Sequence, residues 1–259
     1  NAVNFHGIDL TMDLPPIVAT KEMCAYCFDA ILHYIDHQET LLTPRHFPTA
    51  NSPLFVTWHI NGTELRGCIG ITSHNIEKLI LFVGTFTQEP LTKNLEIYAL
   101  QSAFHDSRFS PITKREVKDL SCSVSLLANF EAGSDALDWT IGTHGISIDF
   151  EDSSMNILVA FIVNVLDKLA HHGTYLPEIA VEQGWDQEAA LENLISKAGK
   201  EFLIILFNNM NRILFYKKGY EGSLKDVIGN IKLTRYQSSR ATLDYSEYLK
   251  MRENVTELN

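Results

Sequence analysis

The sequence predicts an α+β fold built on antiparallel strands, and three observations carry that reading. Strand-like and helix-like stretches come in runs, without the regular strand-helix-strand alternation of a parallel sheet. Asn61-Gly62 stands between Leu54-Phe55-Val56-Thr57-Trp58 and Leu65-Arg66-Gly67-Cys68-Ile69-Gly70, the strongest short-range signal of a hairpin. In Cys122-Ser123-Val124-Ser125-Leu126 apolar residues alternate with serines, the period of a half-buried strand.

The other elements follow in chain order. Residues 1–16 read as a tail that ends in Pro15-Pro16. Thr20 is placed to cap a helix whose Met23, Cys24, Cys27, Phe28, Ile31, Leu32 and Ile35 recur at helical spacing. A second helix is expected from Leu95 to His105, stopped by Ser110-Pro111 because the residue before a proline resists the helical region. Thr113 to Glu116 spells a capping box that opens a short third helix. Trp139 to Ile141 and Ile146 to Phe150 flank Gly142-Thr143-His144-Gly145 as a second hairpin. Pro177 starts a helical turn, and Asp186 caps the helix of Ala189, Leu191, Leu194 and Ile195, with Gly199 at its C-terminal end. Ile231 to Tyr236 reads as the last strand and Tyr245 to Met251 as a closing helix.

Composition bounds the function classes. The 259 residues are 45% hydrophobic and 20% charged, enough for one large domain or two small ones. Lys plus Arg is 21 against 32 for Asp plus Glu, a formal charge of −11, which disfavours polyanion partners such as nucleic acid. Lys232, Arg235 and Arg240 form a local basic strand and loop, more simply read as a solvated face. Four cysteines are too few for a disulfide scaffold, so an intracellular protein, cytoplasmic or nuclear, is expected. The apolar run Ile157 to Val163 falls far short of the roughly 20 residues of a spanning helix, so no membrane partner is expected.

The chemistry-bearing stretch is Leu65 to Gly70. Strand alternation sends Arg66 and Cys68 one way and Leu65 and Ile69 the other, toward the core. A guanidinium beside a thiol favours the thiolate, and Gly67 and Gly70 mark where a ligand or another backbone approaches closely. Two readings stay open: a bare-backbone floor carrying one cation and one nucleophile, or a buried Cys68 with Arg66 paired to a structural carboxylate. His105-Asp106-Ser107-Arg108-Phe109 is a loop clamp in which Asp106 holds Arg108. Folded over the Gly67 strand, it would add an imidazole and a second guanidinium, making an anion site or a Cys-His arrangement. Cys24-Ala25-Tyr26-Cys27 lies inside an amphipathic helix and reads as core. His171-His172 lacks a second ligand cluster at zinc spacing, and no motif for a cofactor is evident.

Six blocks in order resemble the AMME syndrome candidate gene family, the AMMECR domain. They are Leu65-Arg66-Gly67-Cys68-Ile69-Gly70, Asp106-Ser107-Arg108-Phe109, Cys122 to Leu127, Thr174-Tyr175-Leu176-Pro177-Glu178, Glu182-Gln183-Gly184-Trp185 and Ile231-Lys232-Leu233-Thr234-Arg235. The resemblance covers 17–252 as a single domain, leaving 253–259 as a C-terminal tail. It implies two subdomains with antiparallel sheets flanked by helices, and a cleft near the Arg66-Gly67-Cys68 strand. It implies no reaction, since the family's biochemical role is poorly defined. In prokaryotes, relatives of the family stand beside or fused to a Memo-type protein and beside a radical S-adenosylmethionine enzyme, which implies such a protein as partner.

Three segments depart from the family pattern, at about 71–84, 155–173 and 200–219. They share an Ile-, Leu-, Phe- and Asn-rich flavour, as in Phe202 to Asn209; some or all read as in-frame retained introns, the alternative being real insertions, and sequencing the spliced transcript decides between them. Two functions follow. In one, Arg66, Gly67, Gly70, Asp106 and Arg108 bind an anionic small molecule or modified residue, and Cys68 is nucleophile, radical relay or soft ligand, with His105 as a second candidate group. In the other, the protein is a non-catalytic adaptor whose glycines and arginines only shape the fold.

Overall fold

A computed structural model describes residues 18–37, 47, 52–71, 91–151, 170–198, 203–204, 214–215, 220 and 222–256. The three atypical segments therefore lie mostly outside the described residues, as do the N-terminal tail and Gly199. The fold is α+β, and the strand pairs with a described register are antiparallel. Six strands are hydrogen-bonded in the order β2-β1-β3-β8-β4-β5: β1 Leu54–Ile60, β2 Glu64–Ile71, β3 Leu120–Ala132, β4 Gly145–Glu151, β5 Ala170–Tyr175 and β8 Lys232–Asp244. A short pair, β6 Leu203–Ile204 with β7 Leu214–Phe215, stands apart from that order. The chain divides into two compact units, 1–126 with 240–259 and 127–239.

The first unit holds α1 (Lys21–Ile35), α2 (Leu91–Phe104), the hairpin β1-β2, the start of β3, the end of β8 and α6 (Tyr245–Thr256). The helical spacing read from the sequence buries Met23, Cys24, Cys27, Phe28 and Ile31 against Leu54, Val56, Trp58, Val124 and Leu243. Phe28 meets Trp58 edge-on with centroids 5.1 Å apart, the offset that the ring quadrupoles favour. The Trp58 indole N–H donates to the Ala99 carbonyl of α2 at 3.3 Å, so its burial leaves no orphan donor.

The second unit packs Ile146, Ile148 and Phe150 of β4 against Leu191, Leu194 and Ile195 of α4 (Gln187–Lys197), with Leu224 and Val227 of α5 (Leu224–Val227). Pro177 occupies the first turn of α3 (Pro177–Gln183), where its missing N–H costs nothing. The Asp186 side chain accepts from the Ala189 N–H at 2.8 Å and caps α4 as its sequence predicts.

Several expectations are corrected. α2 ends at Phe104, before Ser110-Pro111, and the chain between is folded by the Asp106 carboxylate, which accepts from the Arg108 N–H. The Glu116 carboxylate accepts from Thr113 as a capping box does, yet the helix it opens is one 3₁₀ turn, Val117–Asp119. Trp139 to Ile141 is not a strand: Trp139 N–H bonds Leu137 C=O, Thr140 N–H bonds the His144 ring, and β4 pairs with β5 and β8 instead. The last strand and helix run longer than read, to Asp244 and Thr256. Among the described residues no helix is long and apolar enough to cross a membrane.

Candidate functional site

The thiol-bearing strand β2 is at the end of the strand order, so among the described residues its outer edge has no strand to pair with. Loop side chains complete it. The Cys68 N–H donates to Asp106 Oδ2 at 3.0 Å, and Arg108 Nη2 donates to the Cys68 carbonyl at 2.9 Å. Arg108 also donates from Nε to Asp106 Oδ1 at 2.9 Å and from Nη2 to Oδ2 at 2.6 Å. Burial pushes the Asp106 carboxyl up, but the bonds from Arg108 and Cys68 with the Arg108 charge outweigh it and hold the group below the ordinary carboxylate value. The same pairing raises the Arg108 guanidinium.

Because Cys68 directs its N–H and C=O outward, its pairing with Thr57 is of the kind in which no backbone bond is exchanged and side chains lie closest. Thr57 Oγ1 accordingly donates to Cys68 Sγ at 3.2 Å. Thr57 is itself paired with Ser123 of β3, and Phe55 with both Gly70 and Ser125. Cys68, Thr57, Ser123 and Gly70, Phe55, Ser125 therefore form two cross-strand rows on the face opposite Trp58 and Val56. The strand expected to be half-buried is covered on this face too, since Ser123 and Ser125 are both only 1% exposed.

Arg66 is not in those rows. The register passes from Trp58↔Gly67 to His59↔Leu65, which makes Arg66 the extra residue of a β-bulge. A bulge breaks alternation and re-aims the side chain. The expected common direction of Arg66 and Cys68 is thereby lost, and Leu65 is 37% exposed rather than core. The Arg66 guanidinium donates to Glu116 Oε1 at 2.9 Å, Ser110 O at 2.7 Å and Pro111 O at 3.3 Å. It is the structural carboxylate pairing that one of the two sequence readings described. Burial raises the Glu116 carboxyl, and the bonds from Arg66 and Thr113 outweigh it to leave the group lowered.

The glycines meet protein. A Cβ on Gly67 would collide with the Ser102 carbonyl of α2, and one on Gly70 with the Leu54 carbonyl and the Phe55 ring. Both are close-approach positions, with backbone as the neighbour. His105 is exposed, its N–H bonds Gln101 C=O, and its ring has no hydrogen bond among the described residues, so nothing joins it to the thiol. Cys24, Cys27 and Cys122 are buried, and burial pushes the Cys27 and Cys122 thiols up. Lys232, Arg235 and Arg240 do not act as one basic patch, because Arg235 is held by Glu131 and Asp138. On β5, His171 stacks on Phe150 while His172 pairs with Asp149 at 3.3 Å. Among the described residues no three His, Cys, Asp or Glu side chains are grouped to hold a metal.

Sequence reasoning missed Thr57 as the partner of Cys68 and Glu116 as the partner of Arg66. It read Cys122 to Leu126 as a half-buried strand and did not foresee that both serines are covered. A hydroxyl on each of two neighbouring strands, in register with a cysteine on a third, is the signal that pairing would have exposed.

The AMMECR1 family model matches residues 24–81 and 82–204, more than half of the chain, and the chain belongs to that family. An uncharacterised protein of Arabidopsis thaliana is 35% identical over 238 residues, covering 90% of this chain and 89% of its own. An uncharacterised protein of Schizosaccharomyces pombe is 34% identical over 234 residues, 88% of this chain and 95% of its own. The crystal structure of an uncharacterised protein from Pyrococcus horikoshii has a TM-score of 0.58 over 86% of this chain and 91% of its own, at 20% identity, and shares the fold.

Proposed function

We propose that this AMMECR1-family protein binds a small molecule or a modified residue on the Cys68 face of its first unit, with the Cys68 thiol as the working group. The observation that carries the reading is the clamp: both backbone groups of Cys68 are held by Asp106 and Arg108 while Thr57 donates to its sulfur. A position fixed on three sides is preorganised for recognition, and a hydrogen bond donated to sulfur favours the thiolate that binds or reacts. Arg66 serves this site as a brace for the 110–116 loop, and Asp106 and Arg108 serve it as positioning residues.

The test is alkylation of the folded chain by iodoacetamide, read cysteine by cysteine by peptide mass mapping. Cys68, half-buried, is expected to react well before buried Cys24, Cys27 and Cys122, and Thr57→Val is expected to slow it. A Cys68 that stays unreacted until the protein is denatured would sink this reading.

A second reading has its own support. Arg66, Gly67, Gly70, Asp106 and Arg108 all have structural partners within the fold, as an adaptor's would. In that case a protein partner, of the Memo or radical S-adenosylmethionine type, is retained in pull-down from cell extract by the wild type and equally by Cys68→Ala.

A further inference from the structure

On the face that carries Cys68, the Cys68-Thr57-Ser123 row runs from thiol to hydroxyls to a guanidinium. Ser123 Oγ lies 2.9 Å from Thr242 Oγ1, and Arg240 Nη2 donates to Ser123 Oγ at 3.3 Å. β8 thus extends the Cys68-Thr57-Ser123 row by Thr242 and places Arg240 beside it. One repeat along β3, about 7 Å at the strand rise, Ser125 Oγ is buried and has no hydrogen-bond partner among the described residues. An orphan hydroxyl at 1% exposure costs its full desolvation unless something supplies the missing bond.

The chemistry of the rows selects what that something is. Cys68, Thr57, Ser123, Thr242, Gly70, Phe55, Ser125 and Arg240 include hydroxyl donors and a permanent cation but no carboxylate. A guanidinium and an unsatisfied hydroxyl one strand repeat from the serine it bonds suit an oxyanion, and the half-buried Phe55 beside Gly70 offers an apolar flank for the body that carries it.

We propose that Ser125, Ser123 and Arg240 form an oxyanion seat on the Cys68 face, taking the phosphate or carboxylate group of a small molecule. The inference rests on the preceding reading in taking this face as the ligand-facing one. It adds the class of group bound and three residues that no family motif in the sequence singled out as binding groups. Ser125 donates its unused hydroxyl to an anion oxygen, Arg240 supplies charge, and Ser123 sets the guanidinium.

The experiment uses the full chain at constant ionic strength with inorganic phosphate and acetate as probes. Binding is read from NMR line broadening of each probe and from slowing of Cys68 alkylation. One probe is expected to saturate and slow alkylation several-fold, and which one does so separates a phosphate from a carboxylate ligand. Ser125→Ala is expected to weaken binding about tenfold, one hydrogen bond's worth, with Ser125→Thr restoring it and Arg240→Gln abolishing it. Ser125→Ala removes an orphan hydroxyl, so folding is not the confounder; its melting temperature is measured alongside. Neither probe broadening with wild type, or Ser125→Ala binding as wild type does, overturns the seat. Because broadening is read without the thiol, a seat that binds beside an inert Cys68 rejects the thiol reading alone, and a reactive Cys68 without probe binding rejects the seat alone.

Discussion

The Asp106 carboxylate accepts the backbone N–H of Cys68 at 3.0 Å, in the place where a neighbouring strand would offer a carbonyl. Arg108, fixed by the same carboxylate, supplies the matching donor to the Cys68 C=O at 2.9 Å. With Cys68 and Asp106 38 positions apart, a six-residue sequence motif and a four-residue one are thereby a single structural device: the second closes the open edge of the first. An unpaired edge is a liability, and here its closure also fixes the residue that carries the half-buried thiol.

The first prediction removes that carboxylate. Asp106 is 7% exposed and takes bonds from two backbone N–H groups and the Arg108 guanidinium. Asp106→Ala orphans the Cys68 N–H and leaves the half-exposed Arg108 guanidinium without its carboxylate, and should cost on the order of 2 kcal/mol. Asp106→Asn keeps an acceptor and should cost less. Urea denaturation gives the cost, and faster hydrogen exchange at Cys68 in both variants locates it. An exchange rate unchanged in Asp106→Ala would mean the edge is held by something else.

The second prediction concerns acid. Asp106 and Glu116 both sit below their ordinary values in the fold. A carboxylate lowered by folding adds stability that is present above its unfolded pKa, about 4, and is lost as pH falls through the folded value. Loosening of β2 and the 105–116 loop is therefore expected below about pH 4 and not above pH 5. Amide exchange or chemical shifts of Cys68 and Arg108 followed against pH would show it, and a transition centred near neutrality would contradict it.

Much of the fold was legible because the signals were local. The spacing of Met23, Cys27, Phe28 and Ile31 gave α1, Asn61-Gly62 gave the hairpin, and Asp186 gave the start of α4. The site was legible in its membership and not in its geometry. A two-residue turn at Asn61-Gly62 would set Thr57 opposite Arg66. Instead Ile60 pairs with Glu64 and a bulge follows, so Thr57 faces Cys68 and Arg66 leaves the row. The extra residue in the turn moves Leu65 from the Trp58 face to the His59 face, and the bulge restores the face while sliding Cys68 from opposite Phe55 to opposite Thr57; neither has a propensity signature in this stretch. The burial of Ser123 and Ser125 was equally out of reach, since an alternating pattern says which residues share a face and not whether polar ones are covered.

The third prediction separates two kinds of glycine. At Gly67 an added Cβ would run into the Ser102 carbonyl, which belongs to the backbone of α2 and cannot swing aside. Gly67→Ala should therefore cost about 3 kcal/mol and displace α2 from β2. Gly184 has φ +66 with nothing within 4 Å of its Cβ position, so Gly184→Ala meets only the left-handed backbone cost of about 1 kcal/mol. Thermal denaturation of the two variants ranks them. Equal costs would show that α2 can withdraw from the strand without penalty.

The fourth prediction concerns Arg66, the bulge residue, whose side chain is 11% exposed. Its donors diverge to a carboxylate and two carbonyls, at Glu116, Ser110 and Pro111, a fork that an ammonium cannot reproduce. Arg66→Lys is thus expected to destabilise nearly as much as Arg66→Ala, each by about 2 kcal/mol. Glu116→Gln leaves the two carbonyl bonds in place and should cost less. In a double-mutant cycle the Arg66 and Glu116 changes should be non-additive by on the order of 1 kcal/mol. Lysine at 66 behaving like arginine would mean that charge alone is needed there, and would return Arg66 to the role of an anion-binding cation beside Cys68. Loss of stability in both Arg66 variants, with Cys68 still alkylated at the wild-type rate in the folded fraction, would confirm it as the brace of the loop.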